Sequence, residues 1–224
     1  MAHMKRYLAL FAILSALACN RNNQKTDTSY PRIFDLGLFS LLDESINQLA
    51  YTGREQVSFI DENGAVVNFE IIHADIAVQD SITAAIDNVY DDGTGITTSY
   101  FSSFIDDTLR SPALNLELIV RLRAQPNVSN PGSRDVADLV EVLALTPDNE
   151  SFQPVFSTVF NQRSWPTPEL VQPVDEVTIY NRIFEEVWVH SLTDAPVEVW
   201  FNRAYGIVSL TDPSGKQWRF QQLQ

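Results

Sequence analysis

Residues Tyr205–Phe220 read YGIVSLTDPSGKQWRF, and their reading decides the fold. Val208 and Leu210 alternate with Ser209 and Thr211, and on the return Trp218 and Phe220 alternate with Gln217 and Arg219. A period of two sends successive side chains to opposite faces, so this stretch predicts an antiparallel hairpin with its apolar face turned inward. Between the arms stands Asp212-Pro213-Ser214-Gly215. Aspartate suits the first position of a type I turn, proline presets φ at the second, and glycine takes the left-handed conformation that closes a bulged hairpin. The stretch Val57–Phe69, VSFIDENGAVVNF, repeats the design. Val57, Ser58, Asp61, Gly64 and Phe69 align with Val208, Ser209, Asp212, Gly215 and Phe220 without a gap. Two matched hairpins describe architecture and carry no chemistry.

Working outward, Leu114–Arg123 shows the same alternation: Leu114, Leu116, Leu118 and Val120 against Asn115, Glu117, Ile119 and Arg121. Ser99–Leu109 also reads as strand, and Val136–Leu145 reads as strand on the alternation of Val140, Val142 and Ala144 with Glu141 and Leu143. Glu176–Tyr180, Phe184–Ser191 and Val197–Asn202 lead into the final hairpin as a meander. Ile72–Asn88 has a mixed period, open to helix or strand. Asp87–Gly95 reads as an acidic loop, Gln125–Arg134 as a turn-rich connection, and Phe160–Pro173, with three prolines, as irregular. Leu36, Phe39, Leu42, Ile46 and Leu49 recur at helical spacing, predicting one amphipathic helix over Leu36–Leu49 packed on the sheet. The expectation is a single mainly β domain over residues 32–224. Its antiparallel meander of about ten strands forms a sandwich or a strongly curved sheet, with one packed N-terminal helix.

The N-terminus has a different character. After Met1–Met4, a cloning remnant or a misplaced start, Lys5 and Arg6 precede an apolar run from Tyr7 to Ala18. That run is too short to span a bilayer and is built like a secretory signal, so residues 1–18 read as a signal peptide. Its end, Leu14-Ser15-Ala16-Leu17-Ala18-Cys19, resembles a bacterial lipobox, with Ala16 where leucine is preferred. The resemblance implies that Cys19, the only cysteine, is acylated and becomes the mature N-terminus. Anchoring would then be stable, since each buried methylene contributes about 0.8 kcal/mol. Asn20–Pro31 is polar and reads as a flexible tether. Asn20, in place of the aspartate that signals inner-membrane retention, implies an outer-membrane destination.

The net charge of −14 opposes binding to nucleic acid and to anionic headgroups, so the expected membrane contact runs through the lipid. One cysteine permits no internal disulfide, and the fold must rest on its core. The lipobox-like start, the early Val57–Phe69 hairpin and the terminal Tyr205–Phe220 hairpin together resemble small lipoproteins of Bacteroidetes. The resemblance implies a location in the cell envelope and no particular activity. It also implies that Asp80-Ser81-Ile82 and Asp107-Thr108-Leu109 fit the D-(S/T)-aliphatic pattern of periplasmic O-glycosylation.

Candidate sites are few. Asp87, Asp91 and Asp92 beside Gly93 and Gly95 offer oxygen ligands that calcium could use, without EF-hand spacing and against the plainer reading of a solvated acidic loop. No G-x-S-x-G elbow, P-loop or closely spaced Cys/His set is present, and no cofactor is expected. Asp106-Asp107 and Glu185-Glu186 are adjacent carboxylates, but neighbours on a strand point to opposite faces and cannot flank one bond. With a turn at Thr193-Asp194-Ala195, Trp188 would lie opposite Trp200 and His190 opposite Glu198. Those four would form a platform for a sugar ring or a partner's side chain, unless the face is covered and the indoles are core. The sequence therefore favours binding, of a glycan or an envelope protein, over catalysis. A carbohydrate-active hydrolase and a structural subunit of an outer-membrane complex are the alternatives.

Overall fold

The computed structural model describes residues 32–89, 95–127, 135–164, 172–189, 192 and 194–224. The expected signal peptide, Cys19 and the tether lie outside them. The described residues form β1 (Arg32–Phe39), the short helix α1 (Asp43–Asn47), β2 (Gln56–Ile60), β3 (Val66–His73), β4 (Ala77–Val89) and β5 (Gly95–Ser111). There follow β6 (Leu116–Pro126), β7 (Val136–Leu145), β8 (Gln153–Gln162), β9 (Val174–Ile179), β10 (Arg182–Val189), β11 (Glu198–Asn202), β12 (Gly206–Thr211) and β13 (Gln217–Leu223). All thirteen strands belong to one sheet, ordered β8-β7-β6-β5-β3-β2-β13-β12-β11-β10-β9, with β1 and β4 both added to β5. Every pairing is antiparallel except that of β1 with β5.

Both hairpins form where the alternation places them, with Val57 opposite Phe69 and Leu210 opposite Trp218. Their turns are closed alike. Asp61 Oδ1 accepts the amides of Asn63 (2.9 Å) and Ala65 (2.7 Å), and Asp212 Oδ1 accepts those of Ser214 (2.9 Å) and Lys216 (3.1 Å). Gly64 and Gly215 take φ of +85° and +83°, the left-handed conformation that a Cβ opposes. The two hairpins are also neighbours: β13 pairs with β2, bringing Phe220 opposite Phe59. The second and the last strand thus meet at the middle of the sheet.

The sheet curls into a half-barrel around its apolar face. Leu118, Val120, Leu122, Val140, Val142 and Phe69 are buried there, while Arg121 and Arg123 on the intervening positions bond Asp106 and Glu141. The curl brings β8 against the far side of the sheet. Phe156 stacks on Phe201 with centroids 5.6 Å apart, and the Leu192 amide donates to Val155 O at 3.2 Å. At the β9–β10 end, the Arg182 guanidinium lies over the Phe220 ring and donates to Phe220 O (3.3 Å) and Gln221 O (2.8 Å). Those carbonyls stand at a break in the β13–β2 register, where Arg182 supplies donors to the bulge.

The expected helix over Leu36–Leu49 does not form. Its first part is β1, and only Asp43–Asn47 is helical. Of the spaced apolar residues Phe39 and Leu49 are buried and Leu36 and Ile46 partly buried, and polar bonds fix the chain between them. Leu41 N donates to Ser103 Oγ (2.7 Å), Leu42 N to Asp138 Oδ2 (3.2 Å) and Ser45 Oγ to Asp138 Oδ2 (2.6 Å). Asp138 is fully buried in β7, and its capture of this segment outweighs the tendency to continue a helix. The mixed-period stretch Ile72–Asn88 resolves into the end of β3 and most of β4. Of the loop expected at Asp87–Gly95, residues 87–89 belong to β4 and Gly95 to β5, and residues 90–94 lie outside the described residues. Residues 165–171, inside the stretch expected to be irregular, lie outside the described residues, and β8 continues through Gln162 before them.

Candidate functional site

The site is built where the curled sheet closes, around Trp188. In β10 and β11 the register places Trp188 opposite Phe201 and Val189 opposite Trp200. The expected pairing of Trp188 with Trp200 is one residue out, and a shift of one reverses the faces. Asp194 takes φ +61°, the Leu192 carbonyl accepts the Ala195 amide at 3.3 Å, and the Leu192 amide is drawn to Val155 of β8, so the turn is pinned to β8. Trp188 is consequently buried at 5% exposure. Trp200 is half-buried on the other face, where its Nε1 donates to Glu198 Oε1 at 2.9 Å. Trp188 and Trp200 therefore do not form a shared platform, and His190 lies outside the described residues.

What the structure places beside Trp188 is a residue that the sequence did not single out. The Arg203 guanidinium lies 5.5 Å from the Trp188 ring and 5.3 Å from the Phe160 ring. Phe160 comes from β8, so this group exists only because the sheet curls. A cleft of about 260 Å³ opens there, with Val159, Glu186 and Pro173 among its walls.

Arg203 is held in position by its turn. Asn202, itself buried, accepts the amides of Ala204 (2.7 Å) and Tyr205 (3.1 Å) through Oδ1, while its Nδ2 donates to Glu185 O. On the far side of the turn the Ile207 amide donates to the buried hydroxyl of Tyr51 at 2.8 Å. The guanidinium makes no ion pair among the described residues. Ring contacts hold a guanidinium by its faces and leave its N–H edge for a planar anion, which Arg takes in bidentate fashion.

The carboxylates of Asp106 and Asp107 are occupied elsewhere. Asp106 accepts both Nε (2.8 Å) and an Nη (2.7 Å) of Arg121. Asp107, 3% exposed, meets His73 Nδ1 at 2.6 Å on the inner side of the sheet. His73 Nε2 lies 2.7 Å from Arg54 O, so both ring nitrogens face acceptors. Burial works against the imidazolium, yet the Asp107 carboxylate and the Arg54 carbonyl outweigh it and raise the His73 pKa above its ordinary value. An imidazole bonded at both nitrogens has no lone pair for a metal or a substrate proton.

Among the described residues no group of three His, Cys, Asp or Glu is placed to share a metal ion. Asp91 and Asp92 lie outside those residues, and Asp87 falls in β4 and not in a loop. Thr108 of the glycosylation-like pattern sits mid-strand in β5, between Ile72 and Ile119, with both of its motif neighbours, Asp107 and Leu109, buried. Compared with protein-family models, curated proteins and solved structures, the chain matches none of them.

Proposed function

We propose that this chain is a lipid-anchored protein of the bacterial cell envelope, held at the outer membrane through Cys19 and acting as a binding or accessory module. The observation that carries the binding reading is Arg203. In a chain of net charge −14, one guanidinium lies over the Phe160 and Trp188 rings at a cleft and has no carboxylate bound to it among the described residues. Its partner is a molecule that presents a carboxylate or another planar anion, on a glycan or on an envelope protein. The lipobox-like segment and the polar tether support anchoring, because they place the domain within reach of a membrane that its own charge would repel.

The test is a crosslinked pull-down of the full chain from membranes, comparing wild type, Cys19→Ala and Arg203→Gln. The reading expects Cys19→Ala to release the protein from the membrane fraction and Arg203→Gln to stay there without its partner. Arg203→Gln that recovers the same partner in the same amount removes the cleft from the reading. Cys19→Ala that remains membrane-bound removes the anchor.

A further inference from the structure

Among the described residues, Glu186 is the one non-glycine that takes a positive φ, +50°, inside a strand. A Cβ opposes that conformation, and such residues persist where the surrounding structure holds them. The effect shows in burial along β10. Phe184 is buried, Glu185 and Glu186 are both exposed, and Val187 and Trp188 are both buried, so the alternation breaks at Glu186. The irregularity re-aims the side chain, and Glu186 joins Arg203 in the wall of the Trp188 cleft.

One side chain braces both charges. Asn202 Nδ2 donates to Glu185 O, beside the strained residue, while its Oδ1 accepts the amides of Ala204 and Tyr205 just beyond Arg203. The β10–β11 ladder covers Trp188 and Val189 and stops short of Glu186, so Asn202 holds the strand there in its place. Glu186 and Arg203 are both exposed. Neither makes an ion pair among the described residues, with the other or with any third group.

The two charges narrow the partner. A simple anion at Arg203 would also face the Glu186 carboxylate, and a simple cation at Glu186 would face the Arg203 guanidinium. A group with a carboxylate and an ammonium on one carbon satisfies both. Its carboxylate takes the N–H edge of Arg203, and its ammonium donates to Glu186. The cleft's volume of about 260 Å³ falls just below that of whole-ligand pockets, about 300–1,000 Å³, and suits a head group. Val159, Pro173 and Trp188 supply apolar wall for the carbons attached to it.

We propose that the Arg203 cleft binds the zwitterionic head group of an α-amino acid, with Arg203 on the carboxylate and Glu186 on the ammonium. This inference rests on the binding reading of that cleft and adds the second charge. A free amino acid and a head group borne at the end of a longer molecule present the same chemistry to it.

The experiment is calorimetric titration of the full chain. L- and D-alanine serve as free head groups, and Nε-acetyl-lysine as a head group on a longer neutral chain. N-acetylalanine lacks the ammonium, and alaninamide lacks the carboxylate. Alanine or Nε-acetyl-lysine is expected to bind, and the two capped compounds roughly tenfold or more weakly. Equal affinity for alanine and Nε-acetyl-lysine assigns the free amino acid, and tighter binding of Nε-acetyl-lysine assigns the chain-borne head group. Arg203→Gln and Glu186→Gln should each lower head-group affinity roughly tenfold. Glu186→Gln should also bind N-acetylalanine better than the wild type does, since the repelling carboxylate is gone.

Three results overturn the inference: no head group binds the wild type, Glu186→Gln binds the head group undiminished, or N-acetylalanine binds as tightly as alanine. In the third case, if Arg203→Gln still weakens N-acetylalanine, the carboxylate reading of the cleft stands and only the zwitterion falls. Arg203→Gln that binds every compound as the wild type does removes both. If Glu186→Gln does not fold, the wild type's preference for alanine over the two capped compounds decides.

Discussion

Lys216 Nζ lies 2.6 Å from Asp61 Oδ2, so a lysine at the close of one hairpin turn bonds the aspartate that opens the other. The two turns whose sequences match are therefore joined in space as well, at the same end of the β2–β13 pair. Lys216 also lies over the Trp218 ring, 4.1 Å from its centroid, and Trp218 Nε1 donates to Asp212 Oδ2 at 2.8 Å. Each turn stabilises the other through this small network.

The contribution of Asp212 follows from that geometry. It holds two turn amides and the N–H of an indole that is 6% exposed. Asp212→Ala leaves these donors without an acceptor and should cost about 1–3 kcal/mol, read from chemical denaturation. Lys216→Met should cost less, because its ammonium is half-exposed and its stem still covers Trp218. A larger loss for Lys216→Met than for Asp212→Ala would contradict the assignment.

Acid should act on the same pair. Lys216 holds the Asp61 carboxyl below its ordinary range. Burial would raise Asp212, but bonds from Ser214, Trp218 and the Lys216 amide outweigh it and hold that carboxyl low too. Groups depressed in the fold contribute stability above their unfolded pKa, about 3.9, and lose it as pH falls through their folded values. The share of stability that these two carboxyls contribute should be level above about pH 5 and fall below about pH 4. The double variant Asp61→Asn, Asp212→Asn should be less stable at neutral pH and show a shallower acid loss, and an acid slope equal to that of the wild type would place the loss elsewhere.

His73 works in the opposite direction. Its pKa is raised in the fold, so its bond to Asp107 contributes fully below the unfolded value of about 6.5 and is lost as pH rises through the folded one. Denaturation midpoints should decline from about pH 6.5 upward, and His73→Gln should flatten the decline. A wild type whose midpoint is level or rising across that window would show that the imidazole is neutral.

Gly206 lies against the Tyr51 ring, and its neighbour Ile207 donates its amide to the Tyr51 hydroxyl. Gly206 takes φ +75°, and a Cβ there would overlap the Tyr51 ring. Gly206→Ala should therefore destabilise on two grounds, backbone strain and collision, by more than the roughly 1 kcal/mol usual for a single substitution. Tyr51→Phe keeps the ring and removes the acceptor of the Ile207 amide, at a cost of about 1–3 kcal/mol. Thermal melts rank the two variants. Tyr51→Phe is also expected to lower the melting temperature of Gly206→Ala further, since the collision remains.

The tryptophans can be told apart in solution. Trp200 is half-buried, whereas Trp188 and Trp218 are 5% and 6% exposed. Trp200→Phe should reduce the share of fluorescence open to acrylamide, and Trp188→Phe should leave it unchanged. Equal reductions would put both indoles on one face.

The two hairpins, the strands β5 to β7 and the β-rich class were legible in the sequence because their physics is local. Alternation fixes which side chains share a face, and Asp-x-x-Gly chooses its turn within four residues. What failed depends on contacts made far along the chain. The Leu36–Leu49 helix yields to Asp138, which lies some ninety residues away and captures Leu42 and Ser45. The Trp188–Trp200 register is one residue out, and the turn beyond it is tied to β8 through Leu192 and Val155. Arg203 could be placed on a turn from Asn202 and Gly206, but not beside Phe160, since only the curl of the sheet brings β8 to it. Sequence alone determined the two hairpins and the strands β5 to β7, with their inward faces and tight turns. The tertiary structure decided register across the long connection, the closure of the half-barrel and hence the Arg203 cleft, because a side chain's partner across a curled sheet is set by twist and packing over the whole molecule.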